Sequence, residues 1–192
     1  MAGGPLCVDL TTREVLWRGW ANSTSYLRPL EVFGGRLYVQ NYDPEVGTHF
    51  AAIDAATGAV IWAGPKVEKS IGRAAVGYGL AFFRDSEGGL WALDADTGEV
   101  RWKASLSLLW GMPETGPLLV NDLVLVAVDG GELQAYAALT GELVWTLPGR
   151  HPGQHLSAMA RFQFLRGASA GRLDGMFSLF LGSHKGIVLA LS

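Results

Sequence analysis

Asp94-Ala95-Asp96-Thr97-Gly98-Glu99-Val100-Arg101-Trp102 is the stretch on which the fold is decided, because the chain repeats it. It recurs as Asp54-Ala55-Ala56-Thr57-Gly58-Ala59-Val60-Ile61-Trp62 and, more loosely, as Ala137-Ala138-Leu139-Thr140-Gly141-Glu142-Leu143-Val144-Trp145. A worn first copy keeps Asp9, Thr12 and Trp17 but has Arg13 where the others have glycine. The four tryptophans are 45, 40 and 43 residues apart. A period of that length signals a repeat architecture whose units bury their faces against neighbours.

Within each period, short β-branched, aromatic and leucine-rich runs are separated by Gly, Asp and Asn clusters, as in successive hairpins. One unit reads as strands at 73–76, 80–84, 89–93 and 99–103, with turns at 77–79, 85–88 and 94–98. The following unit repeats this at 117–120, 123–128, 132–137 and 142–146. Four antiparallel strands per 40 to 45 residues make a β-propeller blade, so the chain is expected to be all-β. No segment keeps a 3.6-residue apolar period, which predicts almost no helix. The whole of 1–192 reads as one propeller domain or segment, with blades at 26–63, 72–104 and 116–147 and partial blades at 1–20 and 156–192.

The signature is mainly structural chemistry. In Asp-x-x-Thr-Gly the aspartate and threonine side chains can bond the turn backbone, and Gly58, Gly98 and Gly141 tolerate the left-handed conformation that closes the hairpin. Trp17, Trp62, Trp102 and Trp145 then fall at equivalent places on the outer strand, where a large flat ring can cover the seam between sheets while its indole N–H finds a carbonyl. Burial is expected for Trp62, Trp102 and Trp145. An aromatic cage would converge on one point, whereas a repeat distributes its members around an axis.

The turn and tryptophan motif, with Gly88-Gly89-Leu90-Trp91-Ala92-Leu93-Asp94 and Gly186-Ile187-Val188-Leu189-Ala190-Leu191, resembles the pyrroloquinoline-quinone-like (PQQ-like) propeller repeat over nearly the whole chain. The resemblance implies a propeller from a family that includes quinoprotein dehydrogenases, outer-membrane assembly lipoproteins, and sensor or scaffold domains of bacterial kinases. For the dehydrogenases it implies a vicinal cysteine pair above the quinone, a calcium ion held by acidic and amide side chains, and an aspartate base. Cys7 is the only cysteine, so the pair has no counterpart, and none of the other catalytic residues has a matching position. No catalytic residue, metal ligand or cofactor is therefore assigned.

Composition narrows the partners further. At 192 residues and 49% hydrophobic the chain can bury a sizeable core. A formal charge of -3 supplies no broad basic field for nucleic acid or an anionic membrane. No apolar run reaches the roughly 18 residues of a membrane span, and no apolar segment precedes Leu6-Cys7 as a lipoprotein signal requires. If the N-terminus is complete, the expectation is an unexported, cytoplasmic protein. His151 and His155 flank Pro152 and Gly153, which favours a loop over a helical metal pair; His49 and His184 are expected at the surface.

One polar constellation stands out. Turns between second and third strands carry Asp43 and Glu45, then Asp85 and Glu87, then Asp129. In a propeller, equivalent turns project from one face, so these carboxylates would form an acidic arc suited to a basic peptide or a cation. Turn geometry and solubility are the competing explanation. The expectation is a non-catalytic scaffold binding a protein or other ligand, with a fragment or relative of a quinoprotein dehydrogenase as the alternative.

The two ends reach the same point in the repeat. Residues 5–10 read as a third strand and 15–18 as a fourth, while 187–192 read as a third strand again, after a first strand at 157–166 and a second at 176–182. Three readings stay open: a segment of a longer propeller, a closed four-bladed ring, and a homodimer in which each chain completes the other's ring.

Overall fold

The computed structural model describes residues 6–19, 26–43, 47–67, 70–106, 116–128, 132–148, 179–182 and 188–191. Among them there is no helix. An N-terminal hairpin, β1 (Leu6–Val8) and β2 (Val15–Arg18), precedes three antiparallel four-stranded meanders. Sheet I is β3 (Tyr26–Phe33), β4 (Arg36–Asp43), β5 (Gly47–Asp54) and β6 (Val60–Val67). Sheet II is β7 (Ser70–Gly77), β8 (Leu80–Asp85), β9 (Gly89–Asp94) and β10 (Val100–Ser105). Sheet III is β11 (Leu118–Val120), β12 (Leu123–Val128), β13 (Glu132–Ala137) and β14 (Leu143–Leu147). A second hairpin, β15 (Leu179–Gly182) and β16 (Val188–Leu191), follows. The first strand expected at 157–166 lies outside the described residues.

Local chemistry explains the meander. The first hairpin turns of sheets I and II use pairs of residues at positive φ, Gly34 and Gly35 at 58° and 76°, then Tyr78 and Gly79 at 55° and 71°, while sheet III has Asn121 alone at 52°. Two successive positive-φ residues match the right-handed twist of the strands they join. The third turn of each sheet is the repeated signature, and it bonds back to the first. Ala55, Ala95 and Ala138 donate their backbone N–H to Gly35, Gly79 and Asp122 carbonyls at 2.9, 2.9 and 2.8 Å.

Packing is sheet on sheet. Along β8, Ala81 and Phe83 face sheet I while Leu80 and Phe82 face sheet III, so the two-residue period of a strand fills two cores at once. The I–II core holds Tyr38, Phe50, Ala52, Trp62 and Leu93, with Phe50 stacked on Phe83 at 4.0 Å between ring centres. The II–III core holds Leu90, Ala92, Val124, Val126 and Tyr136. First strands of neighbouring sheets, β3 with β7 and β7 with β11, are in contact. Each inner sheet is therefore buried on both faces, as in consecutive propeller blades.

Arg84 crosses the second seam. It is fully buried, and its Nη1 donates to the Ala127 carbonyl at 2.7 Å.

Candidate functional site

The repeated signature builds a lock at each seam. Asp54 Oδ1 accepts the backbone N–H groups of Ala56 and Thr57 at 2.9 and 2.7 Å, and Asp94 Oδ1 does the same for Asp96 and Thr97, both at 2.9 Å. The threonine hydroxyl then accepts the backbone N–H two residues on, from Ala59 and Glu99, at 3.3 Å. These bonds hold Gly58 and Gly98 at φ 74° and 77°, and Gly141, whose turn lacks the carboxylate, has φ 74° as well. That conformation turns the side where a Cβ would stand toward the preceding sheet. A Cβ on Gly58 would lie 2.7 Å from the Trp17 ring, and on Gly98 or Gly141 it would lie 2.6 Å from Trp62 or Trp102. Only glycine lets the indole rest on the turn.

Each indole also donates a hydrogen bond. Trp17, Trp62 and Trp102 Nε1 give 2.9 Å bonds to the carbonyls of Ala55, Ala95 and Ala138, the residue after the signature's first position. Arg36 reinforces the middle lock, donating to Ala95 O at 3.1 Å and pairing with Asp96.

A β-bulge aims each ring. In sheet II, Val100 pairs with Leu93 but Trp102 pairs with Ala92, leaving Arg101 as the extra residue. Ile61, Val144 and Leu16 are extra at the same place in β6, β14 and β2. In a regular ladder Trp102 would stand opposite Trp91 and face sheet I. The bulge puts it beside Ala92, on the face toward sheet III.

Trp145 departs from its siblings. It pairs with Ala135 as expected of the repeat, yet it is 36% exposed against 6% for Trp62. The burial expected from the sequence is thus not reached at this copy. In the first copy, Asp9 Oδ1 still accepts from Thr11 and Thr12 at 2.7 and 3.1 Å, and Arg13 takes the glycine's conformation at φ 62°.

One member of the expected acidic arc turns inward. Asp85 is buried, its Oδ1 accepting from Gly89 N and Glu87 N at 2.6 and 3.0 Å and its Oδ2 from Trp91 Nε1 at 2.6 Å. Its carboxylate organises the β8–β9 turn and is not offered to a partner; the backbone donors that need an acceptor there are its own neighbours. Lys103 Nζ lies 3.9 Å from the centre of the same Trp91 ring. Glu87 is exposed. The Asp43 side chain, Glu45 and Asp129 lie outside the described residues, as do His151, His155 and His184.

His49 is half-buried, a correction to its expected surface place. Its Nε2 is 3.1 Å from Asn41 Nδ2 across the β4–β5 ladder. On the first strands, burial raises the Glu31 carboxyl above its ordinary range, an effect partly offset by Arg73 of the neighbouring sheet. Neither pair carried a sequence signal, since both depend on which strands become neighbours.

Cys7 is a lone half-buried thiol on β1, and among the described residues no three His, Cys, Asp or Glu side chains group as metal ligands. Nor is any helix there long and apolar enough to cross a membrane.

Comparison with known proteins agrees with the fold and divides on activity. The family model described as outer membrane protein assembly factor BamB matches residues 48–178. The lanthanide-dependent methanol dehydrogenase of Methylacidiphilum fumariolicum is 33% identical over 175 residues, covering 77% of this chain and 28% of the enzyme. BamB of Legionella pneumophila is 32% identical over 108 residues, covering 56% of this chain and 26% of that protein. Among solved structures, BamB from Moraxella catarrhalis superposes with a TM-score of 0.60 at 19% identity, over 77% of this chain and 45% of that one. The chain thus spans about a quarter of the length of the curated relatives it matches.

Proposed function

The chain belongs to the PQQ-like repeat family of β-propellers, and from that premise we propose that it is a non-catalytic scaffold that binds another protein. The observation that carries this reading is the use of the repeat's aromatic residues. Trp17, Trp62 and Trp102 are each committed to a different turn, with ring on glycine and N–H on carbonyl, so they hold sheets together and do not converge on a ligand. The single cysteine supports the same conclusion, because the dehydrogenases' vicinal pair cannot be built from it. Loops carried on such a rigid stack are suited to protein contact. The partner is assigned to the acidic residues expected from the sequence, Asp43, Glu45, Glu87 and Asp129, of which Glu87 is exposed; Asp85 serves its own turn. A basic partner bound there would be released as salt rises, because exposed charges are screened.

A specific observation favours a second reading, descent from a quinoprotein dehydrogenase: the 33% identity to the methanol dehydrogenase. One titration separates them. Pyrroloquinoline quinone, with calcium or a lanthanide, is added while tryptophan fluorescence is followed, and alcohol oxidation is then assayed. The scaffold reading expects neither saturable quenching nor turnover; saturable binding with turnover replaces it by the second.

A further inference from the structure

The first hairpin turns of the three sheets are linked by contacts, and one of them is built against its own local preference. At the equivalent positions of sheets I, II and III stand Gly34, Tyr78 and Asn121, all in the left-handed conformation at φ 58°, 55° and 52°. Glycine and asparagine suit that conformation, whereas a bulky aromatic residue there is strained. Packing does not account for Tyr78, because the residue is 55% exposed. Its turn is also the middle one of the three. Arg36, beside Gly35, donates to the Ala95 carbonyl, and the Ala95 N–H donates to the carbonyl of Gly79. On the other side, a Cβ on Gly77 would collide with Leu119, two residues before Asn121.

Around Tyr78 the surface is apolar at its centre and acidic at its edge. Phe33, at the turn of sheet I, is 39% exposed. Leu139 is 66% exposed and takes the place in its turn that Asp96 takes when it reaches Arg36 of the preceding sheet. The repeat therefore carries Leu139 toward the first turn of sheet II, which holds Tyr78. In the three sheets the cations at this end, Arg36 and Arg101, are already paired with Asp96 and Asp94. Glu99, Asp122 and Glu142 are exposed and form no ion pair among the described residues, so the edge carries unbalanced negative charge. We infer that the end of the sheets bearing the first and third turns is a docking surface, and that its occupant is an extended, arginine-bearing segment of another protein. A guanidinium group stacks on an aromatic face and pairs with carboxylates, so it answers both halves of this surface. The surface lies at the opposite end of the strands from the second-turn carboxylates. It goes beyond the scaffold reading and does not depend on it, since a dehydrogenase-like chain would present the same turns.

The full chain is titrated against a fluorescein-labelled peptide of alternating arginine and proline, and against its twin bearing glutamate for arginine, with anisotropy as the readout. The arginine peptide should bind saturably and more weakly as salt rises, and the glutamate twin should not bind. Tyr78→Asn, which gives this turn the residue that sheet III uses at Asn121, should weaken binding about three- to tenfold while the urea midpoint stays the same or rises. Tyr78→Phe keeps the ring and should bind within about twofold of the wild type. Asp122→Lys should weaken binding and flatten its salt dependence. No saturable binding of the arginine peptide, equal binding of the two peptides, or a Tyr78→Asn chain that binds like the wild type would overturn the surface. So would a lower urea midpoint in Tyr78→Asn, which would make the ring a structural member. Binding weakened by Glu87→Lys and not by Tyr78→Asn would move the peptide to the other end of the sheets and overturn it likewise.

Discussion

Trp62 surrenders nearly all of its surface to the turn that begins at Asp94, so truncating it removes the ring, opens a cavity in the I–II core and leaves the Ala95 carbonyl with one donor fewer. Trp62→Ala is expected to destabilise the chain by about 3–5 kcal/mol, read from the urea midpoint. Trp145→Ala, at the same place in the repeat but exposed, should cost under about 1 kcal/mol in that measurement. Equal losses would mean that the two tryptophans are in equivalent surroundings, contrary to the geometry. The contrast is informative because the two side chains are identical. What separates them is the presence or absence of a turn from the following sheet.

At the scale of the element, the signature turn is a small polar structure whose members can be restored or removed. The turn at Ala137 keeps Thr140 and Gly141, with Gly141 N bonded to Ala137 O at 2.8 Å, but lacks the carboxylate that gathers the backbone donors in the others. Ala137→Asp should therefore stabilise sheet III by about 0.5–1.5 kcal/mol, visible as a higher urea midpoint. Acid acts in the opposite direction on the turns that have the aspartate. Arg101 foremost, then the N–H groups of Thr97 and Asp96, hold the Asp94 carboxyl down to about 2. Asp54 is lowered chiefly by the Thr57 N–H, and Asp9 by that of Thr11. A carboxyl depressed in the folded state contributes stability that is complete above its unfolded value of about 3.9 and is lost as the pH falls toward about 2. The urea midpoint should decline through that window, and Asp94→Asn should decline less steeply. A midpoint independent of pH there would show that these bonds do not distinguish folded from unfolded chains.

For the whole molecule, stability is a chain of nearest-neighbour contacts between sheets. The N-terminal hairpin is held to sheet I through Trp17, which rests on Gly58 and packs beside Val39, Ala51 and Ile53. Deleting residues 1–19 would uncover that buried apolar face and leave the turn at Asp54 without its indole. Self-association should follow, detected as a rise in molar mass by light scattering, because an apolar sheet face left in water favours contact with another. A deleted chain that stays monodisperse at its own mass, with an unchanged urea midpoint, would show the hairpin to be dispensable.

Much of this was legible in the residues themselves. The period of the tryptophans predicts blades, and the Gly, Asn and Asp clusters predict strands near where β7–β14 lie, because turn chemistry and two-residue alternation are local properties. The signature turn is likewise written in its own side chains, whose hydrogen bonds span two or three residues. What the sequence could not decide is which way a side chain faces once a bulge intervenes, as at Arg101 before Trp102. It could not decide either whether a carboxylate such as Asp85 looks outward or into its own turn, or that Arg84 reaches Ala127 across a seam. Those outcomes depend on contacts between residues tens of positions apart, and a repeat makes the copies look alike in sequence even where their neighbours differ. The sequence by itself determined the repeating unit; the tertiary structure decided which tryptophans are covered, because covering one requires the turn of a different sheet.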